Sequence, residues 1–132
     1  MKLVVDASLV VAACLSEDGL DRFGKYELVS PPLMWSEARS ALHELVWRRE
    51  VPASVGDGAR DALDVVPVRA LAPARLGAEA WAIADELGWA KTYGAEYVAL
   101  ARLLDCRLVT IDARLNRGAA RLGLVVAPAD LD

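Results

Sequence analysis

The sequence predicts an α/β fold in which helices flank a central parallel sheet of about five strands. Three observations point there. Short apolar runs alternate with stretches of helical period along the whole chain, the pattern of strand–helix–strand units. Two of those runs, Leu3-Val4-Val5 and Leu108-Val109-Thr110-Ile111, are apolar and β-branched without alternation, as strands covered on both faces must be. Each ends in an aspartate, Asp6 or Asp112, and in open α/β sheets ligand chemistry gathers beyond the carboxyl ends of the strands.

The elements follow in order. The first strand is Lys2–Asp6, and a helix runs from about Ala7 to Glu17 with Asp6 or Ser8 placed to cap it. Gly19 punctuates the chain, and Leu20–Lys25 holds a short helix. Glu27–Ser30 is the second strand, stopped by Pro31-Pro32. Leu33–Glu50 is the longest helix, with Met34, Ala38, Ala41, Leu42 and Leu45 as its buried stripe. Pro52 opens a further short helix that Gly56 and Gly58 weaken. Val65–Val68 reads as a third strand, confined to an edge by Pro67. Ala72–Leu87 is helical up to Gly88, and another helix runs from Tyr93 or Gly94 to Leu104. Arg107–Ile111 is the fourth strand, Ala113–Leu122 a helix ended by Gly123, and Leu124–Val126 the fifth strand. No repeat, low-complexity stretch or linker interrupts this order, so residues 1–132 are expected to form one domain.

Composition narrows the function. The chain is 55% hydrophobic, ample for one core, yet has no uncharged apolar run long enough to span a membrane. Its N-terminus enters a strand directly, without the features of a secretory signal, so a cytoplasmic protein is expected. Cys14 and Cys106 lack metal-ligand spacing and read as reduced core thiols. Trp35, Trp47, Trp81 and Trp89 are expected mainly in the core, with one or two at an interface. A net charge of −4 argues against a sequence-blind polyanion binder. Yet Arg102, Arg107, Arg114, Arg117 and Arg121 face only Asp105 and Asp112 in that stretch. Such a flank is either a solvated helix face or a holder of phosphate groups.

The acids carry the chemistry. If the two aspartate-tipped strands are neighbours, their carboxylates meet over one sheet edge, at a cost on the order of 4 kcal/mol at ~4 Å. A bound cation removes that cost. Each aspartate also precedes a helix, where it is a favoured N-cap. Glu37 is a third candidate, on the margin of its helix stripe roughly 40° from Ala41, although Glu44 shares that margin. Glu96 shares a face with Leu100 and Leu103, expensive unless it is paired, metal-bound or at a rim. It also lies in a first helical turn, where the dipole favours negative charge. Rival α/β motifs are absent: no glycine-rich dinucleotide fingerprint, no Walker A loop and no receiver-type acidic pair. His43 sits mid-helix with no nucleophile elbow to join, and Lys2, Lys25 and Lys91 do not follow a strand's downstream end as an aspartyl phosphotransferase would need.

Four segments in order resemble the PIN-domain ribonucleases, most closely the VapC-like toxins of toxin–antitoxin pairs. They are Leu3-Val4-Val5-Asp6-Ala7-Ser8, the stretch from Pro32 through Glu37 to Leu42, Thr92-Tyr93-Gly94-Ala95-Glu96-Tyr97-Val98-Ala99-Leu100-Ala101, and Leu108-Val109-Thr110-Ile111-Asp112-Ala113-Arg114-Leu115. The resemblance implies a PIN-like three-layer sandwich and a metal-dependent endoribonuclease. Asp6 and Asp112 would hold Mg²⁺ or Mn²⁺, and Glu37 would act on the attacking water. Ser8, Thr110 and Asn116 would support them, while Arg114, Arg117 and Arg121 would contact RNA or an antitoxin. It further implies a VapB-like antitoxin partner, an RNA substrate such as tRNA, and a homodimer. The family pattern places an aspartate three residues before the tyrosine of the Tyr-Val-Ala-Leu-Ala run, and here that position is Gly94. Glu96 is the nearby acid that stands in for it, or activity is weakened or lost and the fold serves as an antitoxin-binding module.

Overall fold

The computed structural model describes residues 1–131. Five strands, β1 (Lys2–Val5), β2 (Glu27–Ser30), β3 (Arg69–Ala70), β4 (Arg107–Val109) and β5 (Val125–Val126), form one sheet in the order β3-β2-β1-β4-β5. Every neighbouring pair is parallel, as an apolar, non-alternating strand pattern demands. Leu3, Val4, Val5, Val29, Leu108 and Val109 are buried at its centre.

The helices are α1 (Ala7–Cys14), α2 (Leu33–Trp47), α3 (Ala53–Asp64), α4 (Leu76–Leu87), α5 (Tyr93–Leu104) and α6 (Ala113–Gly118). From β1 the chain winds outward through β2 to β3, then returns past β1 to β4 and β5. Parallel crossovers are right-handed, so this reversal puts α1–α3 on one face and α4–α6 on the other. The packing agrees: α1, α2 and α3 lie against one another, while α4 packs on α5, which lies on β1 and β4. The reversal falls between β1 and β4, the place beyond the carboxyl ends of the strands where open α/β sheets gather their ligand chemistry.

Several local expectations shift. The third strand lies beyond Pro67, at Arg69–Ala70 rather than Val65–Val68, because the proline-bearing segment cannot donate a full ladder; it remains an edge. Helix α3 runs twelve residues despite its glycines. The physical reason is contact: a Cβ on buried Gly56 would come 2.3 Å from Val46 Cγ2, so glycine is what lets α3 approach α2. The last helix stops at Gly118 and passes into a 3-10 turn at Ala120–Leu122. The tryptophans are not core residues. Trp47 and Trp81 are 76% and 67% exposed, and Trp35 and Trp89 pack half-buried against the core. Among the described residues, no helix is long and apolar enough to cross a membrane. Both cysteines are free and half-buried, their thiols pushed up first by burial.

Candidate active site at the carboxyl edge of the sheet

The register pairs Val5 with Val109, so Asp6 and Thr110 leave the sheet side by side. Asp6 is 4% exposed. Its Oδ1 accepts from the Leu9 amide at 3.1 Å, capping α1, and from Ser8 Oγ at 2.8 Å. Its Oδ2 accepts from Thr110 Oγ1 at 2.5 Å. The same Thr110 oxygen accepts from the Asp112 amide at 2.9 Å, which ties the two aspartates together through one hydroxyl. Asp112 in turn caps α6, its Oδ1 accepting from the amides of Arg114 and Leu115 at 2.9 and 3.3 Å. Capping and site geometry therefore coincide at both aspartates. Burial holds the Asp6 carboxyl above its ordinary range; its three donors pull the other way, and the Asp112 charge adds to the rise.

A second pair of acids faces this one. Glu37, half-buried on α2, accepts at Oε1 from the Tyr97 phenol of α5 at 2.5 Å. Glu96 stands with Glu37 and not with the aspartates, its carboxyl raised by burial and then by the Glu37 charge. Tyr97 bonds to Glu37 and stands close enough to Asp6 to feel its charge. Its phenol is pushed well above the usual range by burial, then by the hydrogen bond to Glu37 and the charges of Glu37 and Asp6, while the nearby Ala7 amide opposes the rise. Tyr97 was not singled out from the sequence. The signal was present: one phenol inside the buried run Tyr97-Val98-Ala99-Leu100-Ala101, where a hydroxyl needs a partner.

Of the supporting residues, Ser8 and Thr110 touch Asp6. Asn116 donates only its backbone amide, to the Asp112 carbonyl, among the described residues. Arg114 and Arg117 are exposed and make no ion pair among the described residues. Arg121 instead donates to the Glu86 carbonyl, tying the 3-10 turn after α6 to α4, while Arg102 pairs with Glu86 and Glu79 at 3.1 and 3.4 Å. Gly94 lies in the first turn of α5. A Cβ there would sit 3.6 Å from Leu115 Cδ1 and 3.8 Å from Trp89 Cζ3, in ordinary contact and directed toward the helix that Asp112 caps.

No three His, Cys, Asp or Glu side chains among the described residues come together closely enough to grip a metal ion. The two aspartates still leave room for one. An ionised carboxylate has about four acceptor positions; Asp6 uses three, and Asp112 Oδ2 accepts nothing among the described residues. An all-oxygen donor pair of this kind fits a hard divalent cation that keeps most of its water ligands. Beside it, an open groove of about 450 Å³ starts at Ser8 and Glu37 and follows α2 past Leu45 to Arg48.

No family model matches the chain. Two kinds of relative do. It is 36% identical over 129 residues to VapC ribonuclease Mb0985 of Mycobacterium bovis and to Ribonuclease VapC9 of Mycobacterium tuberculosis, covering 96% of this chain and 98% of each relative. Its structure matches that of PAE2754 from Pyrobaculum aerophilum with a TM-score of 0.66 at 27% identity, over 89% of this chain and 87% of the other. With a PIN-like fold and this likeness over nearly its whole length, the chain belongs to the VapC ribonuclease family.

Proposed function

We propose that the protein is a metal-dependent endoribonuclease toxin that hydrolyses RNA phosphodiesters at the Asp6–Asp112 edge. The observation that carries this reading is the Thr110 hydroxyl joining Asp6 to the Asp112 amide. It gathers two carboxylates from opposite ends of the sequence at the sheet's switch point. Asp6 and Asp112 hold Mg²⁺ or Mn²⁺, which when bound lowers the pKa of a water and stabilises charge on the phosphoryl oxygens. Glu37 orients the attacking water and takes its proton. Water adds to phosphorus, the bond to the 3′-oxygen breaks, and that oxygen takes a proton from solvent, so the products carry a 5′-phosphate and a 3′-hydroxyl. Arg114 and Arg117, exposed on the helix that Asp112 caps, hold neighbouring phosphates of the RNA backbone. The partners are a VapB-like antitoxin and a second copy of the chain, a reading that exposed Trp47 and Trp81 support. The protein acts in the cytoplasm.

The test is cleavage of unfractionated tRNA with Mn²⁺ by wild type, Asp6→Asn and Gly94→Asp. Cleavage that Asp6→Asn abolishes is expected. No cleavage by either wild type or Gly94→Asp would overturn the proposal. A second reading has its own support, since Gly94 offers no ligand and no three acids converge. In that reading the protein binds antitoxin without cutting RNA. Calorimetric titration with Mn²⁺ separates the two, because an inactive site of this kind takes up no ion.

A further inference from the structure

We propose that Tyr97 is a positioning residue for RNA cleavage: its phenol grips Glu37 Oε1 and so aims Oε2 at the attacking water. This inference rests on the ribonuclease reading and deepens it.

Four observations converge on the phenol. Tyr97 is 3% exposed, and its neighbours Val98, Ala99, Leu100 and Ala101 are wholly buried, so packing alone would be served as well by phenylalanine. The hydroxyl's proton goes to Glu37, in a short 2.5 Å bond to a carboxylate, the strong, charge-assisted kind. Tyr97 also stands by the start of α1, close enough to Asp6 and to the Ala7 amide for both to act on its phenol. One side chain of α5 thereby links the helix capped by Asp6 to the helix that bears Glu37.

The fourth observation is what Glu37 lacks. Its neighbour at the same helix margin, Glu44, is paired with Arg48. Glu37 makes no other hydrogen bond or ion pair among the described residues, and Gly94 supplies no side chain to fix it from α5. Without the phenol, the torsions of a half-buried glutamate are unrestrained. With Oε1 taken, the remaining oxygen has a fixed direction.

The test is a double-mutant cycle on tRNA cleavage with Mn²⁺, using Tyr97→Phe, Glu37→Gln and both together, with Asp6→Asn alongside. If wild-type turnover is too slow to resolve, the series is built on Gly94→Asp. Tyr97→Phe is expected to lower kcat at least tenfold with KM within about twofold, and the double variant is expected to be no slower than Glu37→Gln. A purely structural tyrosine gives losses that multiply. Circular dichroism checks the fold, and Tyr97→Leu is the second hydroxyl-free variant should Tyr97→Phe not fold. A kcat for Tyr97→Phe within twofold of its parent, or multiplying losses, overturns the inference while Asp6→Asn still abolishes cleavage. Absence of any cleavage that depends on Asp6 overturns the ribonuclease reading instead, and this inference with it.

Discussion

Replacing Gly94 by aspartate adds a carboxylate at the position where the resemblance to PIN-domain ribonucleases implies one. The structure admits its first side-chain carbon: a Cβ there meets Leu115 and Trp89 at 3.6 and 3.8 Å, in ordinary contact. Removing a helical glycine contributes about 0.5–1 kcal/mol, and an acid in the first turn of α5 about 0.3–1 kcal/mol more. Against this stands repulsion from Asp112, about 2 kcal/mol for two carboxylates taken as roughly 8 Å apart at an effective dielectric of ~20. Without metal these terms nearly cancel, and the thermal midpoint of Gly94→Asp is expected to lie within a few degrees of wild type. With a divalent ion the repulsion becomes attraction. If the added ligand tightens binding tenfold, Mn²⁺ at 100 times the variant's Kd stabilises it by about 2.7 kcal/mol. The same concentration stabilises wild type by only about 1.4 kcal/mol. At about 3–5 °C per kcal/mol for a domain of this size, the ion raises the variant's midpoint by about 8–13 °C and that of wild type by about half as much. Thermal melts in EDTA and across a Mn²⁺ series measure this, with Gly94→Ala isolating the helix contribution. A Mn²⁺-induced rise no larger in Gly94→Asp than in wild type would refute the placement of residue 94 beside the ion.

Four further outcomes are expected. Because burial raises the Asp6 carboxyl in the folded state, its contribution to stability is full below the unfolded value near pH 4 and is lost as pH rises through the folded value. In EDTA, wild type should therefore lose stability relative to Asp6→Asn from about pH 4 upward, and parallel urea midpoints across pH would contradict this. Gly56→Ala drives a methyl into Val46 and should cost about 1–3 kcal/mol, with partial recovery in the Val46→Ala background, both read from denaturant midpoints. Arg114→Ala and Arg117→Ala should each weaken RNA binding and reduce its salt slope by about one. Arg121→Ala, which loses the tie to the Glu86 carbonyl, should lower the thermal midpoint and leave that slope unchanged; an altered slope would return Arg121 to the RNA surface.

How much of this was legible in the sequence depended on which force governed each element. Strands β1, β2 and β4 are buried on both faces, so their apolar runs announced them and placed Asp6 and Asp112 at one edge. Strand β3, two exposed residues on a sheet edge, is defined by hydrogen bonding rather than burial and lay four residues beyond where apolar content pointed. Gly56 looked like a helix breaker because its purpose, close approach to Val46, belongs to packing between helices and leaves no local mark. Arg121 shares a helical spacing with Arg114 and Arg117, yet the turn after Gly118 carries it toward α4. The bond from Tyr97 to Glu37 joins residues 60 apart in sequence and needed coordinates to be seen.

The order of the strands has a consequence for synthesis. Strand β1 leaves the ribosome first and waits for β4 to cover its second flank, since β2 guards only the other. Until Thr110 emerges, Asp6 lacks the hydroxyl that donates to its Oδ2, and the carboxyl edge of the sheet has only one of its two banks. The same delay leaves an open β1 margin on any product that stops before β4, the kind of unprotected ladder that invites clumping. Fragments stalled there should therefore be prone to precipitate.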